Sequence, residues 1–276
     1  MAAIVLAACG GGMLAQQASA PAPTPDIRQL MKDVQAHQKE VEKERENDTY
    51  TALLTTQDID ANGQVTKTET EEDEDFFVNG HLIWRTVKKN GKPLTEHEEQ
   101  KETERVTKLV EKAQNTPSDR PIEGQTVSIS RLLEIMDVRN PRRETYHGRP
   151  TIVFEFIGRR DAKTHGMIED ASKKLQGTIW IDEADRQVAH LEVSFNDNFR
   201  VAGGVFATVQ KGSNFHFDQA PVGGGVWLPT GGEGAMQARL LVFKNVRQHY
   251  TERDYDFKRF SVETQQSKDA KPVAGK

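Results

Sequence analysis

Three Asn-Gly pairs fall within thirty residues, at Asn62-Gly63, Asn79-Gly80 and Asn90-Gly91. Asn and Gly accept the positive φ angles that tight hairpin turns require, so three such pairs in close succession force the chain to double back on itself. The segments between them are rich in β-branched and aromatic residues. Residues 50–57, 65–70, 76–78 and 81–88 therefore read as strands of an antiparallel meander.

The second half has the same texture. Extended segments are predicted at 151–157, 177–181, 187–196, 201–209, 213–218, 226–228, 236–243 and 246–257. In one of them Ala189, Leu191, Val193 and Phe195 alternate with His190, Glu192 and Ser194, as in a strand with one buried face. Gly203-Gly204 and Gly223-Gly224-Gly225 mark bends or bulges where a sheet curls.

Helices are few. Asp26 can cap a helix carrying Ile27, Leu30, Met31, Val34 and Val41 at helical spacing. This helix becomes highly charged over 39–46, so only its first turns are expected to pack. Thr95-Glu-His-Glu98 has the capping-box spacing and precedes the stripe Val106, Leu109, Val110 and Ala113. Ser128 or Ser130 can start a short helix that buries Leu132, Leu133, Ile135 and Met136, and a polar helical stretch is expected over 167–175. No β-α-β alternation occurs, which argues against a parallel doubly wound sheet. The expected fold is α+β, a strongly curved antiparallel sheet (a half-barrel) with helices covering its concave face. Such a shape leaves an apolar cavity between sheet and helices.

Residues 1–25 carry no charged side chain and end in Ala20-Pro-Ala-Pro-Thr-Pro25, as an export signal and Pro/Ala spacer would. Two processing readings stay open. Leu6-Ala-Ala-Cys9 resembles a lipobox, which would make Cys9 a lipid-anchor site, whereas Ala18-Ser19-Ala20 fits ordinary signal peptidase. A basic n-region is missing, which points to a start further upstream. Residues 26–263 are read as a single half-barrel domain and 264–276 as a disordered tail. With 37 Lys and Arg against 42 Asp and Glu, the formal net charge of -5 argues against a nucleic-acid partner. One cysteine excludes a disulfide framework and any multi-Cys zinc site.

Asp58, Asp60, Asn62 and Glu69 match the ligand positions of an EF-hand calcium loop, with Gly63 at its turn. The flanks read as strand, however, and a hairpin loop using Asp and Asn-Gly turn chemistry is the alternative. The acidic run over 69–75 reads as a solvated edge strand protected by charge. The eight histidines form no zincin motif, although His190 and His216 fall where they could face each other on neighbouring strands. Nucleophile-elbow, P-loop and dinucleotide fingerprints are absent, so no enzyme and no cofactor are expected.

The block Gly177-Thr-Ile-Trp-Ile-Asp182, the segment Val226-Trp-Leu-Pro229 and the ending Asp254-Tyr-Asp-Phe-Lys-Arg-Phe260 resemble the lipoprotein-localisation fold superfamily over residues 146–262. In the first half, the block Asp75-Phe-Phe-Val-Asn-Gly-His-Leu-Ile-Trp-Arg85, then Asn90-Gly-Lys-Pro-Leu94 and its charged helix, resembles instead uncharacterised exported proteins of environmental bacteria. The resemblance implies a non-enzymatic envelope protein of a Gram-negative-type bacterium, periplasmic or outer-membrane-anchored, that binds or carries lipid or lipoprotein acyl chains. Its cavity would be lined by Trp84, Phe154, Phe156, Trp180, Phe195, Phe215, Phe217, Leu241 and Phe243. The alternative is an envelope-anchored structural or assembly protein acting through protein–protein contacts.

Overall fold

The computed structural model describes residues 26–118, 120–122, 127–241 and 243–259, the side chain of Arg28 excepted. Cys9, residues 1–25 read as an export signal and spacer, and residues 264–276 read as a tail lie outside them. The described chain runs α1 (Ile27–Glu44), β1 (Asp48–Ile59), β2 (Val65–Val78), β3 (His81–Lys89), β4 (Lys92–Pro93), α2 (Glu96–Asn115), α3 (Ile129–Ile135), β5 (Met136–Tyr146) and β6 (Arg149–Gly158). It continues through α4 (Met167–Ser172), β7 (Leu175–Asp182), β8 (Val188–Phe195), β9 (Phe199–Val201), β10 (Ala207–Val209), β11 (Asn214–Val222), β12 (Val226–Leu240) and β13 (Lys244–Arg259).

These strands form one open, curved antiparallel sheet in the order β4-β3-β2-β1-β13-β12-β11-β8-β7-β6-β5, with β10 pairing beside β12 and β9 beside β10. The last strand, β13, pairs with both β1 and β12 and so welds the N-terminal meander to the rest. The turns follow the sequence closely. Asn79-Gly80 and Asn90-Gly91 have positive φ at both residues, as two-residue hairpins require. Asn62-Gly63 instead belongs to a longer loop, in which Asp60 Oδ1 accepts from the amides of Asn62 and Gln64. Among the described residues no helix is long and apolar enough to cross a membrane.

Alternation along β6, β7, β8 and β11 puts Ile152, Phe154, Phe156, Ile179, Ile181, Leu191 and Val193 on one face, with Phe215 and Phe217 beside them. Leu30, Met31 and Val34 of α1 and Leu132 and Leu133 of α3 cover that face. The Asp26 cap (2.9 and 3.1 Å) and Ser128 cap (3.3 Å) start these helices where the apolar stripes begin. The charged half of α1 departs from expectation, because Val41 and Arg45 are buried too. Arg45 lies in the turn that follows the helix. Its Nε donates to the Trp227 carbonyl at 2.7 Å and its Nη2 to Gln219 Oε1, so polar bonds as well as apolar contact hold this end down.

At the far end α2 packs Val106, Leu109 and Val110 near Ile83, Phe76 and Val78. It also satisfies the free edge of β3. Arg105 Nη2 donates to the Trp84 carbonyl at 2.6 Å, and Glu102 Oε1 accepts from the Thr86 amide at 2.8 Å. The edge-strand reading of the acidic run is corrected accordingly, since β2 lies between β1 and β3. Its pleat sends Glu72 and Glu74 outward to Lys88 and Arg85, and turns Asp73 and Asp75 into the protein.

Register brings Asp73 and Asp254 to either side of Ala52, with Glu252 one pleat along. Both Asp254 oxygens and one oxygen each of Asp73 and Asp75 have no hydrogen-bond partner. Burial pushes Asp75 up to about 8, with repulsion from Asp73 and Glu252 adding to it and a Tyr50 hydrogen bond opposing it. Asp254 is pushed up to about 8 by burial and then by Glu252 and Asp75. A carboxyl that keeps its proton only when folded stabilises the fold fully below its unfolded pKa, and that stability is lost as pH rises through the folded value. Each proton held is worth about 1.4 kcal/mol per pH unit across the window. The protein is therefore expected to melt at a lower temperature at pH 8 than at pH 5. Asp254→Asn should raise the pH 8 melting temperature and flatten the profile; calorimetry across this range checks both.

Candidate functional site

The cover over the concave face is fastened by buried polar bonds. Gln38 Nε2 of α1 donates to Gln187 Oε1 at 2.6 Å, and Glu42 accepts from Ser130 N (3.1 Å) and Oγ (2.7 Å) of α3. Arg131 of α3 makes two parallel 2.9 Å bonds to the fully buried Glu169 of α4, another to Glu134 at 2.8 Å, and one to the Lys163 carbonyl at 2.7 Å. Burial alone would raise Glu169. The guanidinium and the His165 amide outweigh it and hold the carboxyl below the usual range.

This clamp borders an open concavity of about 690 Å³ between α1, α3 and the segment after β6. Its floor is Met31, Leu133 and Met136, all buried and all part of the core beneath the helices. Lys32, Arg159 and Lys163 stand at its margin, opposed by Glu134 and Asp161. Arg131 is committed to Glu169, and Arg159 donates through Nη2 to the Glu134 carbonyl while its buried Nε has no hydrogen-bond partner. An apolar floor continuous with the core, with cationic groups at the mouth, suits a ligand with a hydrocarbon tail and an acidic head. The volume lies within the ordinary range of small-molecule sites.

A second concavity, about 580 Å³, lies beside β8, β11 and β12. Tyr146 Oη donates to Asp218 Oδ1 at 2.5 Å, and His190 Nδ1 lies 2.7 Å from the same oxygen. The Tyr146 and His190 rings stack at 4.8 Å, and Trp180 meets His190 edge-on at 4.8 Å. Burial works against a charged His190, but Asp218 outweighs it and raises the imidazole; Asp218 is lowered in turn. The polar partners of His190 are Tyr146, Asp218 and Glu192, which makes this an ion-pair network around a ring stack. His190 and His216 do face each other, with ring centroids 5.7 Å apart.

The nine aromatic and aliphatic positions singled out from the sequence scatter. Phe154 and Phe156 are in the core under the helices, with Phe195, Phe215 and Phe217 packed against it. Trp180 joins the histidine network on the opposite face, and Trp84 lies under Arg105 at 5.3 Å. Leu241 and Phe243 are exposed. None of the nine lines either cavity. Asp58, Asp60, Asn62 and Glu69 sit on and beside the β1–β2 hairpin. Gln248 Nε2 donates to Asp58, Asp60 serves its own turn, and Glu69 pairs with Lys67. Among the described residues no three metal-ligating side chains converge. Lys32, Arg159 and Lys163 were not anticipated; the only local signal is a lysine directly beside the α1 stripe and the basic run after β6.

Neither a protein-family model nor a curated protein matches the sequence. Among solved structures the chain is similar to a DUF1329 family protein from Desulfovibrio piger, at 10% identity over 87% of this chain and 95% of that one, with a TM-score of 0.39. It is also similar to a candidate outer membrane lipoprotein-sorting protein domain from Vibrio parahaemolyticus, at 12% identity over 86% and 95%, TM-score 0.38. A third is MucB, solved in complex with MucA, at 9% identity over 84% and 99%, TM-score 0.24. Likenesses this distant carry no argument about function, which has to be read from the side chains of this chain.

The Arg131–Glu169 clamp yields a direct test. Removing one partner of a buried ion pair strands the other, at a cost of about 3–5 kcal/mol. Glu169→Ala should destabilise the protein by that order in denaturant unfolding, whereas Lys163→Ala at the cavity margin should change stability by less than about 0.5 kcal/mol.

Proposed function

We propose that this chain is a non-enzymatic envelope protein that binds or carries lipid or lipoprotein acyl chains. The observation that carries the reading is the cavity whose floor, Met31, Leu133 and Met136, is also the edge of the core between helices and sheet. An acyl chain that passes the charged margin meets apolar surface at this floor, and gains about 25 cal/mol for each Å² it buries. Two of the three floor residues are methionines, whose unbranched side chains adapt to chains of varied shape. Lys32, Arg159 and Lys163 give an acidic head group its counter-charge. The uncharged segment 1–25 supports export, and Cys9 supports a lipid anchor on the outer-membrane surface.

The test is titration of the purified full chain with a fluorescent fatty acid, alongside native mass spectrometry of protein released gently from the cell envelope. Micromolar binding and co-purifying lipid are expected. Met31→Trp, which fills the cavity, should weaken fatty-acid binding at least tenfold. Lys32→Glu with Lys163→Glu, exposed changes that leave the fold intact, should weaken an acidic amphiphile far more than a neutral one. Lipid-free protein with no fatty-acid binding would sink the carrier reading.

A further inference from the structure

Seven large apolar side chains are exposed among the described residues, and four of them belong to one place. Val205 and Phe206 (59% and 61% exposed) sit in the excursion between β9 and β10, and Leu241 and Phe243 (54% and 80%) at the β12–β13 turn. The two tips are joined: Ala207 pairs with Leu240, and the Leu241 amide donates to the Phe206 carbonyl at 2.9 Å. Leu241 holds φ at +47°, a conformation a bulky residue seldom adopts, and the side chain it presents is turned out to water. A contiguous group of large apolar side chains facing solvent marks a surface made to be covered.

The charge around it identifies the cover. Residues 199–211 and 237–247 contain five basic residues, Arg200, Lys211, Arg239, Lys244 and Arg247, and no acid, in a chain with 42 Asp and Glu and a net charge of -5. All five are exposed. Arg200 and Arg239 both stand opposite Thr208 across β10, which places them on the same face of this small ribbon. Acids on the flanking segments are already engaged: Asp197 with Lys174 Nζ at 3.0 Å, and Asp60 with the amides of Asn62 and Gln64. Apolar tips inside a basic collar match a lipid bilayer with anionic head groups. The rings enter the head-group boundary while the Lys and Arg side chains reach phosphates beside them.

We infer that the paired tips carrying Val205, Phe206, Leu241 and Phe243 dock the protein on an anionic membrane surface, independently of any acyl anchor and of what the cavity holds. The experiment is co-sedimentation of the full chain, with Cys9→Ser to remove any anchor, on vesicles of phosphatidylethanolamine and phosphatidylglycerol and on vesicles of phosphatidylcholine alone. Binding to the anionic vesicles is expected, weakening as salt rises. Phe206→Ser with Phe243→Ser should reduce it at least tenfold while circular dichroism and melting temperature stay unchanged, as both positions are exposed. Arg239→Gln with Lys244→Gln should reduce it and flatten its salt dependence, and Met31→Trp should leave it intact. Absence of binding to anionic vesicles, equal binding to both kinds, or undiminished binding by the Phe206/Phe243 variant would overturn the inference. A cavity that fails to take fatty acid would leave it standing.

Discussion

One apolar face has to be kept from water, and most of this structure follows from how that is done. Strands β6, β7, β8 and β11 place Ile152, Phe154, Phe156, Ile179, Leu191 and Val193 on a single side. A curved sheet cannot bury its own concave face, and α1 and α3 are the elements that cover it. Apolar contact is not directional, so it cannot by itself fix where a helix lies. The register of α1 comes from polar bonds: Gln38 to Gln187 midway, and Arg45 of the following turn to the Trp227 carbonyl and Gln219. Because Arg45 is buried, its guanidinium must find these acceptors or lose its hydration uncompensated. The cavity is a consequence of this fastening. The helices are held at positions set by hydrogen bonds, and they leave an open concavity beside Met31, Leu133 and Met136.

The period-two pleat also distributes charge, and it does so with different results at the two ends of the sheet. In β2 the outward carboxylates of Glu72 and Glu74 find Lys88 and Arg85, while the inward Asp73 and Asp75 meet Asp254 and Glu252 with almost no donors. Protonation is how that cluster avoids charge in a buried setting. On β8 and β11 the same pleat puts His190 and Asp218 side by side, with Tyr146 at the end of β5 reaching them, and there an imidazole shares its proton with a carboxylate and both polar groups are satisfied. One network therefore resists protonation of its acid, and the other depends on it.

Much of the fold was legible in the sequence because its signals are local. Asn79-Gly80 and Asn90-Gly91 have the backbone their residue types demand, and Thr95-Glu98 makes both bonds of its capping box. The alternation from Ala189 to Phe195 marked β8 and its buried side. The insertion of β13 between β1 and β12 has no local signature, and it is β13 that brings Asp254 and Glu252 beside the inward Asp73 and Asp75. The charged half of α1 was misjudged because a sequence pattern counts Arg45 as polar surface, whereas its acceptors, Trp227 and Gln219, lie over 170 residues away. The cavity was illegible for the same reason. The sequence marks aromatics as lining, but large rings fill space well and so end in the core, at Phe154 and Phe156, or at other surfaces, at Trp180 and Phe243. The residues that do line the cavity are spread across α1, α3, β5 and the loop after β6, and only the fold brings them together.

Two groups of basic residues stand beside apolar surface. Lys32, Arg159 and Lys163 border the Met31–Met136 floor, and Arg200, Arg239 and Lys244 surround the Phe206–Phe243 tips. In a protein with an excess of acid this is a segregation of charge, and its effect is directional. In the docking we infer, the acid-rich β2 and α2 would be repelled by an anionic surface while the tips at the β12–β13 turn would be drawn to it. Solvation favours such an arrangement only weakly, since exposed charges are screened over about 10 Å at moderate salt. Within that distance the same cations stand beside groups with no favourable contact in water, so attraction and apolar burial act at the same points on the molecule. The acidic amphiphile proposed for the first concavity and the anionic head groups proposed for the tips would be one chemistry met twice, once as a single molecule and once as a surface.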